Sequence, residues 1–171
     1  MLTGRPEHLK TFDYLGVYRY FLTFCTYQRH HGFTDAERVD LVRSQILRVS
    51  IEQQFALIAY CFMPDHVHLL VEGQTAQADC RRFIARAKQF SAFYYRKAFG
   101  ERLWQRFGYE HVLRREEETL SVARYILENP VRGGVVQTAD AYPFIGSSVH
   151  TVTEILEAIQ MANSAYGRRS G

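Results

Sequence analysis

Two histidines separated by one residue lie in the segment Met63-Pro64-Asp65-His66-Val67-His68-Leu69-Leu70-Val71-Glu72. Because a β-strand sends alternate side chains to opposite faces, His66 and His68 are expected to share one face. Val67, Leu69 and Val71 then face the other way, into a core. Two imidazoles about 7 Å apart at their β-carbons can bind one divalent ion. The alternative, a half-buried strand with two hydrogen-bonded histidines, is the commoner situation for an isolated pair.

The residues before this strand predict a hairpin. Phe55 to Phe62 is an apolar run of strand length, and only Met63-Pro64-Asp65 separates it from His66. So short a connection predicts two antiparallel strands. Pro64 has no amide hydrogen to donate within a sheet, so it marks the turn. Asp65 is expected to accept hydrogen bonds from turn amides. A contact with a ligand histidine is the alternative.

The amino-acid composition limits the classes of protein to which this chain can belong. The chain has 171 residues, 47% of them hydrophobic, which fits one globular domain. A net charge of +3 permits a nucleic-acid partner without requiring one. The three cysteines show no C-x-x-C spacing, so a reduced, cytoplasmic setting is expected rather than a disulfide framework. No segment has the length and apolar character of a signal peptide or a membrane span, so no membrane partner is expected.

Further along the chain, strand and helix periods alternate. They predict a strand over 17–27, helices over 35–52, 78–99 and 116–129, a strand within 103–114, and a helix over 153–161. With the hairpin, this order predicts an α+β fold, a ferredoxin-like antiparallel sheet with helices packed against it. We divide the chain into a flexible basic arm (1–16), a main domain (17–150) and a C-terminal helix and tail (151–171).

The helix predicted over 78–99 is strongly basic. No acidic residue lies between Asp79 and Glu101, and aromatic residues are interleaved with the charges. The basic residues are Arg81, Arg82, Arg86, Lys88, Arg96 and Lys97. This pattern is typical of a surface that follows a nucleic-acid backbone, with Phe93, Tyr94 and Tyr95 available for stacking. The alternative is a solvated helix face.

Other candidate site residues lie outside these segments. Arg5 and Lys10 in the N-terminal arm could contact phosphates, although a solvated tail is equally compatible with that composition. His111 shares a predicted strand face with Tyr109 and could be a neighbour of the histidine pair, but a single strand histidine is more often structural. Tyr125 and the asparagine four residues later would share a helix face.

Three segments occur in this order: Met63-Pro64-Asp65-His66-Val67-His68-Leu69, then Trp104-Gln105-Arg106-Phe107-Gly108-Tyr109-Glu110-His111-Val112-Leu113-Arg114, then Tyr125-Ile126-Leu127-Glu128-Asn129-Pro130-Val131-Arg132. Together they resemble the motif blocks of the single-tyrosine HUH transposases, and within these the REP-associated tyrosine transposases of bacteria. The resemblance covers roughly residues 17–144. Three blocks in the correct order are more specific than any one of them.

The resemblance implies cleavage and rejoining of single-stranded DNA without ATP. By position in the motifs, His66 and His68 correspond to metal ligands and Tyr125 to the nucleophile. Asn129 corresponds to the polar residue that completes the metal shell. A related branch has Gln there, and the shorter amide leaves direct ligation open. Arg132, in the same block, is a candidate DNA contact.

The implied cofactor is a divalent metal, Mg²⁺ or Mn²⁺. Mixed nitrogen and oxygen ligands favour Mn²⁺ on softness, and zinc fits less well because no fourth ligand is evident. A tyrosine keeps its proton at neutral pH, so attack on a phosphodiester needs a base, water or ion. The product would be a 5′-phosphotyrosine and a free 3′-hydroxyl. The implied partner is single-stranded or hairpin DNA of repeat elements, bound at the bacterial nucleoid by a monomer or homodimer.

Two other classes of function are compatible with parts of the sequence. One is a nucleic-acid-binding module that keeps the fold and lacks the chemistry. It would have no use for a buried nucleophile beside a metal site. The other is a metal-dependent hydrolase of small phosphates, in which the basic helix holds the substrate. A covalent protein–DNA adduct is expected only of the transposase-like function.

Overall fold

The core of the fold is an antiparallel sheet. The computed structural model describes residues 15–113 and 116–168. Within these ranges the sheet contains β1 (Arg19–Cys25), β2 (Phe55–Met63), β3 (His66–Gly73), β4 (Tyr109–Leu113) and β5 (Ile145–Gly146). The strands lie in the order β4-β1-β3-β2-β5, and every pair is antiparallel. Arg5 and Lys10, and Arg114 at the end of the second motif block, lie outside the described residues.

The α-helices of the described residues are α1 (Ala36–Glu52), α2 (Cys80–Phe99), α3 (Glu116–Leu127), α4 (Asn129–Arg132) and α5 (Val152–Gly167). Side chains of the residues just before them determine where α1 and α2 begin. Asp35 accepts a hydrogen bond from the Arg38 amide (2.9 Å), and Asp79 accepts one from the Arg82 amide (3.1 Å). α2 ends at Phe99, and the next residue, Gly100, has a φ of 71° in the left-handed region that glycine adopts at little cost.

The ferredoxin-like α+β fold predicted from the sequence is confirmed. Some boundaries differ from the prediction, and β1 spans Arg19–Cys25 rather than residues 17–27. α3 ends at Leu127 and α4 begins at Asn129, whereas one helix was expected to continue to Asn129-Pro130. Pro130 cannot donate to the preceding turn, but its fixed φ suits the first turn of a new helix. α5 extends beyond the predicted range to Gly167.

Helices cover both faces of the sheet. On one face α1 and α2 pack on the sheet, and Val67 and Leu69 of β3 are buried with Phe83 of α2. On the other face α3 and α5 pack together, and Leu70 of β3 is buried with Ile126 of α3 and with Ile155 and Ile159 of α5. His66 and His68 alternate with Val67 and share the face of Leu70, so they lie on the α3 side. The basic helix α2 lies on the opposite side.

The loop that leads into β4 is held by a buried hydrogen bond. Trp104 Nε1 donates to Ser91 Oγ of α2 over 2.8 Å, and the indole packs against Phe24 and Phe33 at ring-centroid distances of 5.7 and 5.6 Å. The residue before β4, Gly108, leaves no room for a side chain, because a Cβ there would lie 2.5 Å from the Thr23 carbonyl oxygen. The loop therefore packs closely against β1.

No helix among the described residues has the length and apolar character required to cross a bilayer.

Replacing Trp104 by phenylalanine should destabilise the fold. The change removes the donor to Ser91 and leaves a cavity, and together these should lower the free energy of unfolding by about 2–4 kcal/mol. Urea unfolding followed by circular dichroism measures it, since Trp104 is the chain's single tryptophan and its fluorescence is lost. The control is Phe107→Leu, at an exposed position of the same loop, which should stay within about 0.5 kcal/mol of wild type. Equal stability of the two variants would contradict the anchoring role.

Candidate active site

His66 and His68 lie together on the sheet, and their predicted shared face is confirmed. The register places His66 between Cys25 of β1 and Met63 of β2, and His68 between Thr23 and Cys61. The two imidazole centroids are 4.6 Å apart. Because β3 lies in the interior of the sheet, strands on both sides hold the pair in place.

The Asp65 carboxylate determines which nitrogen of His66 is free. His66 Nδ1 donates to Asp65 Oδ1 over 2.7 Å, and the Arg29 guanidinium lies 2.9 Å from Asp65 Oδ2. Partial burial alone would raise the pKa of Asp65, but the hydrogen bond from His66 and the charge of Arg29 lower it on balance. An ionised carboxylate only accepts, so the proton is on Nδ1 and Nε2 keeps its lone pair. Asp65 thus contacts a candidate ligand histidine, which the sequence had made the less favoured role.

His68 is held in the same way by a hydroxyl group. Its Nδ1 lies 2.8 Å from Thr23 Oγ1, and the residue is only 6% exposed. Burial, reinforced by the charges of His66, Arg132 and Arg29, lowers the pKa of His68 to about 3. Burial also lowers the pKa of His66, although Asp65 opposes the shift. Neutral imidazole is the form that binds metal ions, and both rings can present Nε2.

A third protein donor at this site would have to come from another residue type. In the parts of the chain that the structure describes, His, Cys, Asp and Glu side chains form no group of three or more that could hold a metal ion. Cys61 lies across from His68, but burial raises the pKa of its thiol to about 12, so it stays protonated. Asn129 is half-buried at the start of α4, and its main-chain oxygen lies near the Met63 side chain. A Cβ added to Gly133 would lie 3.3 Å from the Asn129 carbonyl oxygen and 3.2 Å from Met63, the cross-strand neighbour of His66.

Tyr125 of α3 is next to the histidine pair. Its ring centroid lies 5.6 Å from that of His68 and 5.8 Å from that of Phe21, which itself contacts His68 at 5.4 Å. The buried residues Ile126 and Leu127 that follow it hold α3 against the sheet. The expectation of a buried nucleophile is wrong, because Tyr125 is 45% exposed. The phenol is thus adjacent to the histidines and open to solvent.

Arg132 contacts Tyr125 directly. Its Cζ lies 4.1 Å from the centroid of the tyrosine ring, and Nη2 donates to the main-chain oxygen of Tyr125. Its Nη1 is 3.9 Å from Glu128, which also pairs with Arg124 at 3.1 Å. The sequence indicated Arg132 only as a DNA contact. The contact between Arg132 and Tyr125 joins α4 to the last turn of α3, on either side of the turn at Glu128.

His111 shares the sheet face of the histidine pair, but β1 lies between them. The register places His111 opposite Phe21 and Tyr109 opposite Thr23. Tyr109 contacts Phe21 at 5.7 Å, and the rings of Tyr109 and His111 are nearly parallel, with centroids 6.4 Å apart. His111 therefore belongs to an aromatic group beside the site.

The predicted DNA-contacting residues of α2 lie on the opposite sheet face from Tyr125. Arg81 and Arg82 are exposed, and Arg86 is half-buried with its guanidinium 5.7 Å from the Phe90 centroid. Lys88 donates to the Gln105 carbonyl oxygen over 3.0 Å, so it fastens the loop before β4. Tyr95, expected on the stacking surface, is fully buried and donates to the Gly32 carbonyl oxygen. Helical period alone did not distinguish Tyr95 from its exposed neighbours.

Comparison with known proteins identifies relatives. The family described as Transposase IS200 like matches residues 16–129. A Haemophilus influenzae protein assigned as a REP-associated tyrosine transposase is 25% identical over 150 residues, covering 77% of this chain and 79% of the relative. The REP-associated tyrosine transposase of Escherichia coli is 24% identical over 104 residues, covering 61% of each chain.

Two solved structures are similar in fold. A REP-associated tyrosine transposase bound to a REP hairpin has a TM-score of 0.68 and 22% identity, over 81% of each chain. A Deinococcus radiodurans protein assigned as a transposase has a TM-score of 0.51 and 28% identity, over 71% of this chain and 97% of that one. The range matched by the family contains both histidines, Tyr125 and Asn129.

Removing the Asp65 carboxylate should abolish the preference of His66 for one neutral tautomer. In the native protein the Nδ1-protonated form should dominate, and in Asp65→Ala a mixture of both neutral tautomers is expected because the acceptor is gone. Nitrogen-15 NMR of the imidazole rings distinguishes the two forms. Asp140→Ala, at an exposed carboxylate in the turn before Tyr142, serves as the control and should leave His66 unchanged. An unaltered His66 spectrum in Asp65→Ala would show that Asp65 does not orient the ring.

Proposed function

The chain belongs to the Transposase IS200 like family, and from this we propose that it cleaves and rejoins single-stranded DNA with Tyr125 as the nucleophile. The observation that carries the proposal is the contact between Tyr125 and His68, whose ring centroids are 5.6 Å apart. A half-exposed phenol beside two neutral imidazoles has few structural uses. It suits a nucleophile that must meet a phosphodiester from solvent.

Hairpin DNA formed by repeat elements is the proposed substrate. The support is the similarity in fold to a REP-associated tyrosine transposase bound to a REP hairpin. The arginines of α2 would contact phosphates of flanking DNA from the other side of the sheet, since Arg81 and Arg82 are exposed. Arg5 and Lys10 are proposed to contribute further phosphate contacts.

The proposed reaction is an exchange of phosphate esters. The Tyr125 hydroxyl oxygen attacks the scissile phosphorus in line, the bond from phosphorus to the 3′-oxygen breaks, and a 5′-phosphotyrosine forms. The phenol proton leaves to water, which reaches the 45% exposed side chain, and the departing 3′-oxygen gains a proton. A 3′-hydroxyl of another strand then reverses the step. One ester replaces another throughout, so no ATP is required.

The neighbours of Tyr125 orient its ring for this attack. Phe21 meets the ring edge-on at 73°, and Arg132 lies over the ring with its Cζ 4.1 Å from the centroid. The guanidinium also donates to the main chain of the same residue. A phenol held on two sides loses less rotational freedom on reaction, which is the usual contribution of a positioned nucleophile.

We propose that His66 and His68 hold a divalent ion through Nε2, with the Asn129 side-chain amide as a third donor. The two histidines support this proposal, because both rings are neutral, both are hydrogen-bonded at Nδ1, and their centroids are 4.6 Å apart. Two nitrogens and an amide oxygen suit Mn²⁺ or Mg²⁺. When bound, such an ion would supply positive charge that stabilises the developing charge on the phosphate.

Replacing Tyr125 by phenylalanine should abolish a covalent adduct while leaving binding intact. Wild-type protein mixed with labelled hairpin DNA carrying single-stranded flanks should form an adduct that survives denaturing electrophoresis, because the phosphotyrosine is covalent. Tyr94→Phe, a half-exposed tyrosine on the other side of the sheet, is the control and should keep the adduct. DNA binding without an adduct in the wild type would indicate a binding module. Hydrolysis without an adduct would indicate a hydrolase.

Replacing both site histidines by alanine should remove metal binding and cleavage together. Mn²⁺ titration calorimetry should show affinity lowered by more than about tenfold in His66→Ala plus His68→Ala, because both nitrogen ligands are lost. Circular dichroism should show an unchanged fold, since the neighbours in the apolar core are untouched. His150→Ala, at an exposed histidine before α5, is the control. Full adduct formation by the double variant would contradict the metal assignment.

A further inference from the structure

A pair of aromatic rings lies on the outer strand of the sheet. Tyr109 and His111 are alternate residues of β4, and their ring planes differ by only 17°. β4 is the terminal strand in the sheet order, so no strand of the described residues covers its outer edge. Tyr109 is half-exposed and His111 is exposed. The two rings therefore present aromatic surface to solvent at the side of the sheet.

One ring connects this pair to the candidate nucleophile. Phe21 contacts Tyr109 at 5.7 Å and Tyr125 at 5.8 Å, in both cases nearly edge-on. Phe21 belongs to the neighbouring strand β1, so its contact with Tyr109 also fixes the orientation of the Tyr109 ring. The ring pair is thus one aromatic residue away from Tyr125, on the sheet face where the histidines lie.

The two rings have the parallel orientation that a planar base can match. Their planes differ by 17° and their centroids are 6.4 Å apart, within the range at which aromatic side chains pair. An unpaired nucleobase has the planar shape to stack against such rings, largely independently of its sequence.

The loop before β4 carries positive charge suited to the phosphates of a bound single strand. Arg106 is exposed, and its Cζ lies 5.3 Å from the ring of Phe107, itself 51% exposed. Gly108 fixes this loop against β1, because a Cβ there would meet the Thr23 carbonyl oxygen. A cation and a further aromatic ring thus precede the pair on a firmly held segment, as in surfaces that bind single strands.

We propose that Tyr109 and His111 form a stacking site for one unpaired base next to the scissile phosphate, with Arg106 at the adjoining phosphate. This rests on the proposed function, because it assigns the base to the strand that Tyr125 attacks. The site would hold the single strand in place beside the nucleophile after the hairpin ends. It would contribute affinity for unpaired DNA with little sequence preference.

Fluorescence of 2-aminopurine tests the site in the Tyr125→Phe background, where the DNA stays intact. The base analogue is placed in turn at each unpaired position beside the cut in a hairpin substrate. Stacking should quench it strongly at one position. Adding His111→Ala or Tyr109→Ala should abolish this quenching and weaken binding by at least about fivefold. His111→Phe and Tyr109→Phe should preserve both, because the aromatic face remains.

The controls separate stacking from loss of fold or of charge. Tyr166→Ala, at an exposed aromatic near the end of α5, should leave the quenching unchanged. A hairpin without unpaired flanks should bind all variants equally. Quenching that survives both alanine variants, or is absent at every position, would overturn the proposal. Quenching with no adduct in wild-type protein would keep the stacking site and reject the proposed chemistry.

Discussion

The antiparallel pairing of β1 with β3 is the constraint on which the rest of the site depends. It brings Thr23 opposite His68 and Cys25 opposite His66, in the interior of the sheet where burial is deep. A slip of one residue would turn both histidines into the α1 and α2 core and bring Val67 to the α3 face. The apolar residues that alternate with the histidines oppose such a slip, since each would lose its place in a core. The same packing that stabilises the sheet therefore orients the two imidazoles.

Burial keeps the histidine pair neutral, and the polar residues around it keep the rings oriented. Asp65 bonds one ring and Thr23 the other, and Arg29 in turn holds Asp65. Gln28 and Arg29 both have positive φ, 52° and 56°, a conformation that costs energy in residues with side chains. This conformation occurs in the turn after β1, where Arg29 forms an ion pair with Asp65. Because Asp65 also accepts the hydrogen bond from His66, the strained turn contributes to the orientation of that ring.

The two-sided sheet separates the candidate nucleophile and the histidine pair from the most basic helix. Tyr125 of α3 and the histidines lie on one side of the sheet, whereas the arginines of α2 lie on the other. DNA that contacts both must pass around an edge of the sheet, and β4 is the edge that carries Tyr109 and His111. Contacts from α2 would then be to the phosphate backbone some distance from the cut, which adds affinity without reading sequence.

Local periodicity was enough to predict the order of strands and helices, the hairpin at Pro64 and the shared face of His66 and His68, because each depends on residues close in the chain. It was not enough to find Thr23, Phe21 and Arg29 as neighbours of the histidines. These contacts follow from strand register and from a strained turn, which join residues far apart in sequence. For the same reason the contact of Arg132 with Tyr125, the burial of Tyr95 and the placement of α2 opposite the site were decided only by tertiary packing. The side chains that can do chemistry are visible in the sequence, but their partners are determined by which surfaces the folded chain buries together.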